Sequence, residues 1–304
     1  MSKIIVVIGP TASGKTSLGV YLAKKYNACI INADAEQVYK DVNIGTAKIT
    51  KSEMGCVKHY LLDFVPLDKD FNVYEYQLMG RKLLDELISK GENIIIVGGT
   101  GLYIKALLYD YNFNKKTSNL DYSEFTNEEL KSRVDEIYKE NDIHVNNRKR
   151  LERFLSHYDT TKEIIKSKSE RHNRVYDFVL IGLKPEREEL YSQISKRVDT
   201  MFESGLVEET EKLKSFNKLN SIIGYKETLG YLNNLYTIDE CKNLIVKNTR
   251  HYAKRQMTFF RTQFSDIYWF KVDYNCFLNT KKEVNSFLVS FYKEWFIKIV
   301  FFSI

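Results

Sequence analysis

The chain has 304 residues, of which 43% are hydrophobic and 28% charged, and its formal net charge is +6. This composition is typical of a globular protein, and the mildly basic charge permits a polyanionic partner without requiring one. The four cysteines lie far apart, without metal-ligand spacing, so neither a zinc site nor a disulfide framework is expected. The N-terminus shows no signal peptide and charged residues interrupt the apolar C-terminal segment, which predicts a cytoplasmic protein without a membrane span.

The first 110 residues alternate between strand and helix patterns. Short apolar runs predict buried strands over residues 4–8, 28–32, 59–62 and 94–97. Helical spacing of apolar residues predicts helices over residues 16–26 and 73–90. Strands that alternate with helices indicate a parallel, doubly wound sheet.

The pattern changes after Asp110. Residues 111–145 are polar and predict a short, mainly helical inserted subdomain or lid. A strand over residues 175–183 restores the alternation, and helical patterns follow through about residue 264. The prediction is therefore an α/β fold: a P-loop core in residues 1–110 and 146–304, with a helical C-terminal part and the insert at 111–145.

The segment from Gly9 to Thr16 follows the first predicted strand and opens the first predicted helix. It fits the P-loop pattern, in which glycines let successive N–H groups face phosphate oxygens and the lysine adds a positive charge. The predicted diphosphate-binding residues are Gly9, Thr11, Ala12, Ser13, Gly14, Lys15 and Thr16. The Thr16 hydroxyl is the predicted protein ligand of Mg²⁺. A glycine-rich turn with a chance lysine is the alternative.

Two carboxylates follow predicted strands and are candidates for chemistry at the sheet edge. Asp34 ends the second strand and Asp63 the third, so either can face the crevice at the carboxyl ends of the strands. A strand-end aspartate is equally often a turn or capping residue.

Four blocks of sequence resemble the tRNA dimethylallyltransferase family. They are the Gly-Pro-Thr-Ala-Ser-Gly-Lys-Thr loop at 9–16, Asp-Ala-Glu-Gln-Val-Tyr at 34–39 with Ile-Gly-Thr-Ala-Lys at 44–48, Val-Gly-Gly-Thr-Gly-Leu-Tyr at 97–103, and Thr-Arg-His-Tyr-Ala-Lys-Arg-Gln-Met-Thr at 249–258. The resemblance spans about residues 3–265. It implies transfer of a dimethylallyl group from dimethylallyl diphosphate to N6 of the adenosine 3′ of the anticodon in tRNA.

The resemblance also implies roles for residues near the loop. Asp34 would accept a proton from the attacking amine, because a carboxylate is ionised at neutral pH and the amine becomes acidic as it is alkylated. Thr100 would be the second polar contact to the reacting centre, or only a helix cap. Gln37 would recognise the adenine edge, and the adenine would be flipped out of its stack.

Basic residues of the C-terminal half predict an RNA-binding face. Residues 241–265 contain six Lys or Arg and no acid, and four of the six share one helical face. A second cluster follows the insert. The full predicted tRNA-binding set is Asp34, Ala35, Glu36, Gln37, Thr100, Lys131, Arg150, Arg153, Arg250, Lys254 and Arg255, on a chain expected to act as a monomer on the anticodon stem-loop.

Some positions depart from the family pattern and leave alternatives open. The family's Asp-Ser is Asp34-Ala35 here, its second histidine near residue 59 is Tyr60, and the residues around Arg150 differ. A transferase acting on free adenine nucleotides would share the loop and Asp34 without needing the basic face. A P-loop kinase would match the loop alone. An idle RNA-binding relative would fit the changes near Arg150.

Overall fold

The structure is a computed structural model that describes residues 2–111, 120–164 and 173–302, with side chains through Lys293. Its contacts divide the chain into two compact units, one of Met1–Tyr109 with Arg174–Ile304 and one of Asp110–Asn173. Within the described residues, each helix falls short of the length and hydropathy that a membrane span requires.

The first unit is built on a six-stranded parallel sheet in the order β3-β2-β4-β1-β5-β6. The strands are β1 Ile4–Ile8, β2 Ala28–Asn32, β3 His59–Tyr60, β4 Asn93–Val97, β5 Val179–Lys184 and β6 Ile267–Lys271. The predicted α/β class with a parallel, doubly wound sheet is confirmed. The third strand is shorter than predicted, and the fifth begins at Val179 instead of residue 175. Arg174, before it, forms an isolated bridge with Tyr109.

The described helices are distributed over both units of the chain. They are α1 Lys15–Tyr26, α2 Lys51–Met54, α3 Val73–Ser89, α4 Gly101–Leu108, α5 Asn127–Ile137, α6 Arg148–Thr161, α7 Arg187–Glu203, α8 Leu206–Leu213, α9 Tyr225–Leu232, α10 Ile238–Gln263 and α11 Phe277–Phe302, with a short 3-10 helix at Asn217–Ser221. Helices α5 and α6 belong to the second unit. The long basic segment predicted as helical is α10.

Alternation along β1 separates two apolar cores. Ile4, Val6 and Ile8 pack into one core, whereas Ile5 and Val7 pack into the other. Because successive side chains of a strand point to opposite faces, a strand buried on both sides must be apolar throughout. This burial fixes β1 at the centre of the sheet, with the loop at residue 9 directly beyond its carboxyl end.

The second unit has a small core of its own. Leu130 and Val134 of α5 pack with Leu151, Phe154 and Leu155 of α6. Because α6 supplies three of the seven buried residues of this core, the unit continues beyond residue 145, where the sequence predicted a return to the main core, and ends at Asn173. Residues 112–119 of the predicted insert lie outside the described residues.

Candidate active site

The phosphate loop joins β1 to α1. Gly14 lies in the left-handed region with φ +85°, and a Cβ there would come within 2.4 Å of the Phe277 ring, so glycine is required for conformation and space. Helix α1 begins at Lys15, and its first N–H groups have no acceptor within the helix. The loop therefore has the geometry of an anion-binding site.

The loop lines a cavity of about 540 Å³. Predicted site residues on its wall are Thr11, Ala12, Ser13, Gly14, Lys15, Thr16, Asp34 and Gln37. A second cavity of about 250 Å³ shares Thr11, Asp34, Thr46 and Arg197 with the first. Asp34 thus stands where the cavity of the phosphate loop meets the second cavity, whose wall includes Glu36 and Arg255.

Lys15 is the charged group at the centre of the loop. Its Nζ donates to the carbonyl oxygen of Pro10 at 2.6 Å. Burial lowers its pKa to about 7, with Asp34 opposing this shift and the nearby Arg197 adding to it. An anion on the loop would favour the charged ammonium and raise this pKa again.

The turn after β2 holds Asp34 in place. An Asp34 carboxylate oxygen accepts from the backbone N–H of Glu36 at 3.1 Å, and the Thr100 hydroxyl oxygen accepts from the N–H of Ala35 at 2.9 Å. A Cβ on Gly98 would lie 2.0 Å from the Ala33 carbonyl oxygen. The glycine-rich turn after β4 therefore packs directly against the strand end that carries Asp34.

Glu36 places a second carboxyl group close to Asp34. Burial raises the pKa of Glu36 to about 7, Lys218 opposes this shift, and Asp34 adds to it. The Lys218 Nζ lies 4.0 Å from a Glu36 carboxylate oxygen.

Two residues without a predicted role complete the wall around Thr11. Arg197 of α7 donates to the Thr11 hydroxyl at 3.1 Å, and burial lowers its pKa. The Gln256 side chain of α10 accepts from the Thr11 N–H at 2.8 Å and donates to the Gly99 carbonyl at 3.0 Å. The sequence held a signal for Arg197, because it falls on the apolar stripe of α7 with Ile194 and Val198.

Asp63, the other carboxylate considered from sequence, has a different place. It accepts from the buried Lys48 ammonium at 2.6 Å and lines neither cavity. The same ammonium donates to the Tyr39 carbonyl at 2.6 Å. Asp63 thus fixes the loop before α2 and leaves Asp34 as the strand-end carboxylate at the site.

The comparisons with known proteins agree on one family. The family model described as IPP transferase matches residues 37–263. The tRNA dimethylallyltransferase of Acetivibrio thermocellus is 41% identical over 291 residues, which cover 90% of this chain and 93% of that protein. The tRNA dimethylallyltransferase of Staphylococcus saprophyticus is 41% identical over 286 residues, which cover 88% of this chain and 90% of that protein.

Solved structures give the same result. The tRNA isopentenylpyrophosphate transferase of Bacillus halodurans superposes with a TM-score of 0.73 at 33% identity, covering 97% of this chain and 98% of that one. A eukaryotic dimethylallyltransferase acting on tRNA superposes with a TM-score of 0.74 at 25% identity, covering 89% of this chain and 74% of that one. The chain belongs to the tRNA dimethylallyltransferase family. The family predicted from its four sequence blocks is confirmed.

Family segments outside the phosphate loop hold residues 44 and 45 in place through hydrogen bonds. The N–H of Gly45 donates to the Tyr225 hydroxyl at 3.1 Å, and that of Ile44 donates to a Glu209 carboxylate oxygen at 2.9 Å. Tyr225 in turn donates to Glu209. These hydrogen bonds therefore join three separate family blocks to one another. The Gln37 amide nitrogen donates to the Thr46 carbonyl at 3.0 Å, which leaves the amide oxygen for the predicted adenine contact.

The predicted RNA-binding residues of α10 differ in exposure. Lys254 and Arg255 are exposed. Arg250 is half-buried, stacks on the Tyr191 ring at 4.7 Å and donates to the Ser195 hydroxyl at 3.2 Å. Arg250 thus joins α10 to α7, and its predicted RNA contact stays a prediction.

The remaining predicted RNA-binding residues lie in the second unit. Lys131 pairs with Asp135, and Arg150 pairs with Asp142 at 2.7 Å. Arg153 is exposed on α6. Their contact with tRNA stays a prediction.

Proposed function

We propose that this chain, a tRNA prenyltransferase by family, transfers a dimethylallyl group from dimethylallyl diphosphate to N6 of the adenosine 3′ of the anticodon. The observation that carries this proposal is the position of Asp34 at the junction of two cavities, one of them lined by the phosphate loop. A transferase of this kind needs its base between the donor and the acceptor. The anticodon stem-loop as the bound region, the monomeric state and the cytoplasmic location stay predictions.

The phosphate loop would bind the donor through its diphosphate. The N–H groups at the start of α1 and the Lys15 ammonium would stabilise negative charge as the carbon–oxygen bond breaks and its electron pair leaves with the diphosphate. A ligand that is an isoprenoid diphosphate needs no nucleotide pocket.

Thr16 is the proposed protein ligand of Mg²⁺. It is exposed at the start of α1 and lines the larger cavity. Within the described residues, no group of three or more His, Cys, Asp or Glu side chains has the arrangement of a metal site. A single hydroxyl suits Mg²⁺, which commonly takes its other ligands from substrate phosphates and water. Bound there, the ion would neutralise charge on the diphosphate.

Asp34 is the proposed general base. As the new bond forms between N6 and the allylic carbon, the amine proton would pass to the Asp34 carboxylate. Thr100, which holds the N–H of Ala35, would keep the turn in position. Its predicted contact to the substrate adds to this positioning role.

The direct test offers radiolabelled dimethylallyl diphosphate with Mg²⁺ and either unmodified tRNA or AMP. We expect label in tRNA at the adenosine 3′ of the anticodon and none in AMP. Label in AMP alone would replace the tRNA substrate with free nucleotides. Absence of label in both, with tRNA still bound, would favour the idle RNA-binding alternative.

A further inference from the structure

The larger cavity extends beyond the phosphate loop along α1. Its wall includes Ser17, Val20, Tyr21 and Lys24. These residues fall at i, i+3, i+4 and i+7 and therefore share one helical face. From Ser17 to Lys24 this face runs about 10 Å along the helix axis. Lys24, an exposed residue, therefore lines the cavity about two helical turns beyond Ser17.

A second lysine, Lys281 of α11, lines the same cavity. Lys281 is half-buried, and its Nζ lies 5.8 Å from the centre of the Tyr21 ring and 5.5 Å from that of Phe277. Phe277 itself packs on Gly14 of the phosphate loop. The Tyr274 hydroxyl also donates to the Ala12 carbonyl at 3.0 Å. The start of α11 is thus packed on the loop and holds Lys281 in the cavity wall.

Lys24 and Lys281 place two positive charges on the wall of one cavity. Burial, and then the charge of Lys24, lower the pKa of Lys281. Among the described residues, neither lysine has an ion-pair partner. Two acids line the same cavity: Asp34 beside the loop, and Glu53, which accepts from the N–H and the hydroxyl of Thr50, both at 2.8 Å. Two like charges that face one cavity favour an anion between them.

We propose that Lys24 and Lys281 form a second anion subsite, which binds diphosphate on its way to and from the phosphate loop. This inference rests on the proposed function, because a prenyl transfer must take up one diphosphate ester and release free diphosphate in each turnover. The subsite lies in the same cavity as Lys15 and Thr16, so an anion can pass between the two positions without leaving the cavity.

The chain offers matched controls for a test of this subsite. Lys25 and Lys282 are the immediate neighbours of the two lysines, are exposed, and do not line the cavity. Substituting them by alanine changes the net charge by the same amount. Lys281→Arg keeps the positive charge, and it separates loss of charge from any effect on the packing of α11.

The experiment measures binding of inorganic pyrophosphate to the full chain at low ionic strength, without tRNA. We expect Lys24→Ala and Lys281→Ala each to weaken binding by about threefold or more, and the double variant by about tenfold. Lys25→Ala, Lys282→Ala and Lys281→Arg should bind like the parent protein. Equal affinities in all variants, or equal losses in the controls, would overturn the subsite.

A second measurement connects the subsite to turnover. Product inhibition by pyrophosphate should weaken in the double variant, and the KM for dimethylallyl diphosphate should rise more than kcat falls. An unchanged KM and unchanged product inhibition would contradict the proposed passage of diphosphate through the subsite. If the parent protein transferred no prenyl group, the proposed function would fail, whereas pyrophosphate binding would still decide the subsite.

Discussion

At the scale of single residues, Asp34 has the most specific proposed role. Asp34→Asn keeps the size of the side chain and its backbone contact but removes the base. We expect kcat to fall by about 10²-fold or more, with pyrophosphate binding retained, because a general base contributes that much to such a step. Single-turnover transfer to tRNA measures the effect. A variant with normal turnover would assign the proton to another group.

Lys15 predicts a pH dependence of diphosphate binding. The free lysine has a pKa lowered to about 7, and the bound anion would raise it, so between these two values binding takes up a proton. Affinity should therefore fall as the pH rises above about 7. Calorimetry in buffers of different ionisation enthalpy measures the uptake. The Lys15→Arg variant stays charged and should bind diphosphate without taking up a proton. An equal proton uptake in both proteins would mean that Lys15 is not the group that takes up the proton.

At the scale of elements, Gln256 connects helix α10 to two loops. Gln256→Leu would leave the Thr11 N–H and the Gly99 carbonyl without their partner, and a buried group that loses its hydrogen bond costs about 1–3 kcal/mol. Urea unfolding should show this decrease in the free energy of unfolding. Thr258→Ala, at an exposed position of the same helix, should change it by less than about 0.5 kcal/mol. Equal effects would mean that Gln256 contributes no more than a surface residue.

At the scale of the whole molecule, the basic face of α10 predicts salt-dependent RNA binding. Lys247, Lys254 and Arg261 are exposed on this helix. If such a residue contacts a phosphate, its change to alanine should weaken binding of all tRNA sequences to the same extent. It should also reduce the slope of log K against log salt concentration by about 1. Pyrophosphate binding should not change. Lys271→Ala on β6 is the control, and an effect of the same size there would point to net charge alone.

The sequence by itself predicted five of the six strands and the phosphate loop, whereas the edge strand β6 was not predicted. Short apolar runs that alternate with helices are typical of buried parallel strands, and the spacing of Gly9, Gly14 and Lys15 is typical of a phosphate loop between such a strand and a helix. The family blocks also identified Asp34 and Thr100 before any contact was known. These features are local, so a short stretch of sequence is enough to specify them.

Only the tertiary structure decided which distant residues complete the site. Arg197 and Gln256 meet at Thr11 although 186 and 245 residues of chain separate them from it. Lys281 reaches the loop cavity from the last described helix, and the second unit continues past residue 145 because α6 packs on α5. Contacts of this kind depend on how elements pack, which no local pattern encodes.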